Sequence, residues 1–198
     1  MLVYSYLVIS YLLLFAFVEV FKRKLEPHTE ITRKLIHIGA GGLSIYWSDI
    51  ISKNEFLILT SIFLGLFLFA NKIKIFKSLY KLERKTYGDI TFILGLLLLA
   101  VFFFDNRGIF TLGVLLLMWP DALAGLSNYY FKNSHTDVIH VNIYFVVALL
   151  ITIFSLPFYQ AIIISLVVTL TEYFSPYGTD NITVPAVYIA SIMLLLQS

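Results

Sequence analysis

Cysteine is absent from the 198 residues, so disulfides and thiolate metal sites are excluded, and the redox compartment cannot be read from the chain. Charge is scarce too. Asp, Glu, Lys and Arg make up 13% of the chain, against about 25% in an ordinary soluble domain. No Gly/Ser linker, low-complexity segment or internal repeat divides the chain, so residues 1–198 are expected to form a single domain. Also missing are a glycine-rich phosphate loop of the Walker type, a HExxH zinc motif, a serine nucleophile elbow, a dinucleotide fingerprint and the protein-kinase motif set. The net charge of +2 carries little information by itself. The basic residues flank apolar runs, which excludes nucleic acid as a partner.

What the chain does have is apolar length. It is 60% hydrophobic with a mean hydropathy of +0.89. Apolar runs fall at about 2–20, 35–51, 56–71, 89–104, 108–127, 139–156, 158–174 and 182–197. A helical span needs about 20 residues, and several of these runs sit at the lower limit. The expected fold is an all-α, polytopic transmembrane bundle of eight spans, or seven if the last run is shallow. The runs are too long and too free of polar alternation for barrel strands. The first run lacks a basic leader and a small-residue cleavage site, so it is expected to be retained as a span. Ser155-Leu156-Pro157 separates the sixth and seventh runs as a tight turn.

Lysine and arginine set the orientation. Lys22, Arg23, Lys24, Arg33 and Lys34 fall between runs one and two, and Lys72, Lys74, Lys77, Lys81, Arg84 and Lys85 between runs three and four. Lys132 follows run five. The opposite side has only Lys53 and Arg107. Twelve of the fourteen basic residues therefore lie on one side, the cytoplasmic one, with the N-terminus outside. The segment from Lys72 to Lys85 is weakly amphipathic and is expected to lie along the membrane surface. The short N-terminal lead is compatible with the plasma membrane of a prokaryote.

Polar residues inside such runs are the candidates for chemistry. Asp121 follows Trp119-Pro120 within an apolar stretch, where an acid costs about 2.5–3.5 kcal/mol to insert. Pro120 disturbs the helix, and Ala122, Ala124 and Gly125 keep the wall small, so a polar cavity in the bundle is expected. Arg33, Lys34 and His37 share a helix face that suits phosphate. Anchoring to headgroups would account for Arg33 and Lys34, but His37 lies inside the run and needs a partner. Asp89 opens the fourth run after Gly88, either complementing the helix dipole or joining the site. Glu172 closes the seventh run, and Asp180, Asn181, Thr183 and Pro185 open the eighth, with Asp180 or Asn181 as candidate helix caps. Asp121, Glu172 and Asp180 offer the hard oxygens that magnesium prefers, with substrate phosphates completing the shell.

These blocks resemble the CTP-dependent polyprenol kinases, a family of phytol, farnesol and dolichol kinases related more distantly to phosphatidate cytidylyltransferase. The match rests on Arg33-Lys34-x-x-His37, on Gly88-Asp89-Ile90 leading to Phe92 and Gly95, on Asp121-Ala122-Leu123-Ala124, and on Glu172 with Asp180-Asn181-x-Thr183-x-Pro185. The blocks follow the family's order from 33 to 185. The resemblance implies transfer of the terminal phosphate of CTP to the hydroxyl of an isoprenoid alcohol, with a divalent metal. On that basis Asp121, Glu172 and Asp180 are expected to hold magnesium, and Arg33, Lys34, Lys132 and Asn181 the nucleotide. Asp121, His37 or Glu172 would act on the reacting groups, and Asp89 and Thr183 are further candidates. Two places depart from the pattern. Asn128-Tyr129 and Lys132-Asn133 stand where the family has Gly-Arg and Gly-Lys, and residues 133–138 lack its Lys-Thr-x-Glu-Gly-Ser stretch. The same features would also serve a cytidylyltransferase making a CDP-lipid, or a lipid transporter of the same fold.

Overall fold

The apolar runs become helices, which pair their backbone N–H and C=O groups within each segment. The structure, a computed structural model, describes residues 2–25, 27–72, 87–130 and 136–196. Among the described residues every regular element is a helix. The order is α1 Leu2–Leu25, α2 Thr29–Ser48, α3 Lys53–Lys72, α4 Gly88–Phe103, α5 Arg107–Tyr130, α6 Thr136–Ile153, α7 Phe158–Phe174 and α8 Asp180–Leu196. The surface segment expected after Lys72 and the Lys132 region lie outside the described residues. Two helices, Leu2–Leu25 and Arg107–Ser127, are long and apolar enough to cross a membrane. Gly88–Phe103, Asp137–Ile153, Phe158–Phe174 and Asp180–Leu195 are shorter apolar helices.

Helix α5 is the axis of the arrangement. It packs on α6, α2, α4 and α8, and the sequence of contacts α5–α6–α7–α8–α4–α5 closes a ring. The core between these helices is aliphatic and aromatic, with Leu99, Phe110, Leu112, Val114, Leu116, Ile164, Val168, Tyr188 and Ile192 all buried. Helix α1 lies on α2 with most of its residues exposed, Val18 being its one fully buried residue. Tyr11 and Phe15 of α1 meet the Phe63 ring of α3.

Two prolines shape the helices that carry polar groups. Pro120 stands inside α5 and Pro185 inside α8. A proline has no N–H to give the carbonyl four residues back, so Pro185 leaves the Asn181 carbonyl without its helical donor. That carbonyl faces Gly95 of α4, where even a methyl group would collide with it. Gly95 therefore sets the close approach of α4 and α8. The turn between α7 and α8 clamps the same corner. Tyr87 donates its N–H to the Tyr177 carbonyl at 3.2 Å, and Thr91 donates its hydroxyl to the Gly178 carbonyl at 2.6 Å. Tyr177 holds φ at 58°, a left-handed conformation unusual for a side-chain-bearing residue. Helix α8 starts at Asp180, so Asp180 and Asn181 sit in its first turn instead of capping it. Thr179 precedes them, and its carbonyl receives the N–H groups of Ile182 and Thr183.

Candidate functional site

Antiparallel packing brings the starts of α2, α4, α6 and α8 to the same end as the later parts of α5 and α7. Six helices each deliver ionisable side chains there. From α2, Arg33 donates to Glu30 at 2.6 and 3.2 Å, and Lys34 reaches Glu30 at 3.6 Å. The Lys34 ammonium is also ion-paired with the Asp121 carboxylate of α5. Gly125 lies one turn beyond Asp121, and a Cβ there would stand 2.9 Å from Lys34 Cε. The missing side chain is what lets the lysine stem pass across α5. Both partners are buried, Lys34 at 4% and Asp121 at 9% exposure.

His37, one turn along α2, meets Asp89 of α4 through Nε2 at 3.2 Å, and its ring stacks on Phe92 with centroids 4.4 Å apart. Its other nitrogen, Nδ1, is buried without a partner. On the far side of α5, His140 of α6 bridges two helices. Its Nδ1 lies 3.1 Å from the Ala124 carbonyl and its Nε2 lies 2.9 Å from Glu172 Oε1. Glu172 Oε2 is buried with no partner.

Helix α8 closes the cluster. Asn181 donates its side-chain N–H to the Gly88 carbonyl at 2.9 Å, leaving Oδ1 buried and unpartnered. One side-chain N–H is thus engaged, and the free Oδ1 is an oxygen suited to a cation. Thr183 bonds to Ser175 at 2.6 Å and to the Thr179 carbonyl at 3.2 Å, so its hydroxyl ties the turn. Asp180 precedes the apolar run of α8. Burial first, then the negative charges of Asp121 and Glu172, push its carboxyl up to about 6 against the pull of Lys34 and Arg33. Glu30, ahead of the apolar run of α2, goes the other way. Against its burial, the Arg33 bond and the charges of Lys34 and Arg33 hold it below its ordinary value.

The expected residues thus fall into one electrostatic unit. Glu30, Asp89, Asp121, Glu172 and Asp180 act on one another or on Arg33 and Lys34. Among the described residues five carboxylates face two permanent cations, so this part of the unit is short of positive charge. Among the described residues, however, no three His, Asp or Glu side chains form a ready metal cage. Asp121 is engaged by Lys34 and Glu172 by His140, so the three acids expected to share one metal converge without being gathered around one point. Glu30 is not among the residues the sequence singles out, and the His140–Glu172 contact, between residues 32 apart, carries no local sequence signal. Lys132 lies outside the described residues.

The fold and site define an all-helical protein whose polar chemistry is concentrated at one end of an apolar bundle. No family model and no solved structure matches the chain. It is similar to a phytol kinase of Synechocystis sp., with 29% identity over an alignment covering 79% of this chain and 75% of that relative.

Proposed function

We propose that this chain is an integral membrane kinase of eight helical spans, transferring the terminal phosphate of CTP to the hydroxyl of an isoprenoid alcohol. The observation that carries the reading is the buried ionic cluster at the end of the bundle where the basic loops lie. Phosphoryl transfer asks a protein for positioning and charge neutralisation more than for covalent work. Arg33 and Lys34 supply fixed positive charge for phosphate oxygens, Arg33 by its forked donors. The similarity to a phytol kinase supports the acceptor class, and the order of the sequence blocks supports the nucleotide.

The donor set suits magnesium. Asp180 and Asp121 offer hard oxygens beside an excess of negative charge, and Asn181 Oδ1 lacks a partner. Magnesium is ordinarily held by one or two carboxylates together with substrate phosphates, so a complete protein cage is not required. Asp121 and Asp180 would hold the ion, and when bound it would neutralise charge on the transferring phosphate. Asp121 would then exchange part of its Lys34 contact for the ion, freeing the ammonium for phosphate. The isoprenoid tail would lie in the bilayer. An open groove of about 310 Å³ between α6 and α7, lined by Val138, Val141, Leu170 and Tyr173 with Asp137 and Asn142 at its polar side, would be available to its first carbons.

The test uses purified full-length protein, phytol, farnesol, geranylgeraniol and dolichol, magnesium and labelled CTP. Label from the γ position on the lipid is the expected result. Cytidine on the lipid would overturn the kinase reading in favour of cytidylyl transfer, and lipid movement without nucleotide consumption would overturn it in favour of a transporter. Asp121→Asn is expected to abolish the transfer and, by leaving Lys34 with Glu30 as its remaining acid, to lower stability, so activity is read on protein that a thermal melt shows to be folded. Full activity in that variant would remove the proposed ion site.

A further inference from the structure

We infer that Glu172 takes the proton of the acceptor alcohol through Oε2, and that His140 is the positioning residue that aims it there; the inference rests on the kinase reading above. The argument begins with the imidazole. A carbonyl oxygen only accepts, so His140 Nδ1, 3.1 Å from the Ala124 carbonyl, carries a hydrogen. A neutral ring would then turn a bare Nε2 lone pair toward Glu172 Oε1 at 2.9 Å, acceptor against acceptor. A proton must therefore lie between them, and the ring holds Oε1 through it. The carboxylate is fixed by one oxygen, and its other oxygen, Oε2, is left buried without a partner. Glu172 is the one carboxylate among the described residues with such an oxygen.

Asp121 faces the Lys34 ammonium and Glu30 the Arg33 guanidinium. A carboxylate paired with a fixed cation is a poor proton acceptor. Asp89 meets an imidazole, as Glu172 does, but it has no buried oxygen left without a partner. His37 also has an open nitrogen, but its side chain is 3% exposed and is sealed against Phe92, whereas the side chains of Glu172 and His140 are 13% and 16% exposed. The anchor on Ala124 matters as well. Ala124 lies three residues beyond Asp121 on α5, so the ring that aims the base is docked against the helix that carries part of the proposed ion site.

In the step assigned here, the alcohol O–H bond breaks and its proton passes to Glu172 Oε2. The alcohol oxygen bonds to the γ-phosphorus of the nucleoside triphosphate. The bond from that phosphorus to the β–γ bridging oxygen breaks, and its electron pair leaves with the nucleoside diphosphate.

The experiment compares full-length wild type with Glu172→Gln, His140→Leu, His140→Gln and His37→Gln. It reads kcat, both KM values and Mn²⁺–nucleotide binding by electron paramagnetic resonance, with a thermal melt of each variant. Glu172→Gln is expected to lower kcat by about 100-fold or more while Mn²⁺–nucleotide binding stays within twofold. His140→Leu is expected to follow it, and His140→Gln, whose side-chain N–H still reaches Glu172, to recover most of the loss. A fluorinated acceptor with a more acidic hydroxyl should lose much less in Glu172→Gln, an effect that a merely structural role would not produce. Wild-type kcat in Glu172→Gln, loss of Mn²⁺ binding there, an equal loss with the fluorinated alcohol, or a loss confined to His37→Gln would each overturn the inference. If Glu172→Gln does not fold, the two His140 variants carry the same comparison. Failure of wild type to phosphorylate any alcohol would overturn the kinase reading itself, which separates the two outcomes.

Discussion

Lys34 and Asp121 are each tolerable in an apolar interior only because the other is there. An unpaired charge so deeply buried would have to recover several kcal/mol of lost hydration. Lys34→Met is therefore expected to destabilise the fold by about 3–5 kcal/mol, measured as unfolding in detergent micelles. The double variant Lys34→Met/Asp121→Leu is expected to regain most of that stability and none of the activity. A neutral single variant would mean that Arg33, the next cation within reach of Asp121, carries the compensation instead. At this scale the sequence was informative wherever a residue stood out against its surroundings. Asp121, His37 and the Arg33-Lys34 pair are all anomalies in or beside apolar runs. Pairing was legible only in kind, as a buried Lys, Arg or His from another helix set against Asp121, and not as a particular partner. Nothing local joins His140 to Glu172, and Glu30 serves equally well as a dipole partner at a helix start until Arg33 and Lys34 are seen to close on it.

The helices themselves were legible in position and less so at their ends. The expected runs at 35–51 and 182–197 become Thr29–Ser48 and Asp180–Leu196: both helices begin in polar residues ahead of the apolar run, and α2 stops before the run does. Helix α1 continues through Lys22, Arg23 and Lys24, cations that its C-terminal dipole favours. The Ser155–Pro157 turn falls where expected, between Ile153 and Phe158. What hydropathy cannot see is how closely two helices approach. Gly95 and the proline-freed Asn181 carbonyl set the α4–α8 distance, and Asp180 rides on the helix so placed. Gly95→Ala forces the two helices apart, with an expected cost of about 1–3 kcal/mol in stability. Activity should be lost as well, through displacement of Asp180. Gly65→Ala is the control. Nothing lies within 4 Å of its new methyl group, and alanine should stabilise α3 by up to about 1 kcal/mol there. Thermal melts of the two variants should move in opposite directions, and equal shifts would dissociate the glycine from helix placement.

For the whole molecule, the remaining question is which end of the bundle faces the cytoplasm, and the proposal that it is the end with the ionic cluster rests on charge. The end opposite the site has two basic residues, and each is balanced where it stands. Lys53 pairs with Asp105 at 3.1 Å, and Arg107 reaches Asp49 at 4.0 Å while its guanidinium lies 4.0 Å from the centre of the Phe104 ring. The other end collects twelve basic residues, more than local acids offset. Membrane insertion retains such an excess on the cytoplasmic side, where nucleotide is also available. The lack of cysteine makes the orientation directly measurable, because any cysteine introduced is the sole target of a thiol reagent. Asn106→Cys lies between α4 and α5, Ser155→Cys between α6 and α7, and Lys24→Cys at the end of α1, and all three positions are exposed. A membrane-impermeant maleimide added to intact cells is expected to label the first two. Lys24→Cys should react only after the membrane is opened. The reverse pattern would put the ionic cluster on the side without nucleotide, and the kinase assignment would fall with it. Labelling of Asn106→Cys with protection of Ser155→Cys would instead mean that α5 and α6 do not both cross, and the count of eight spans would have to be reduced.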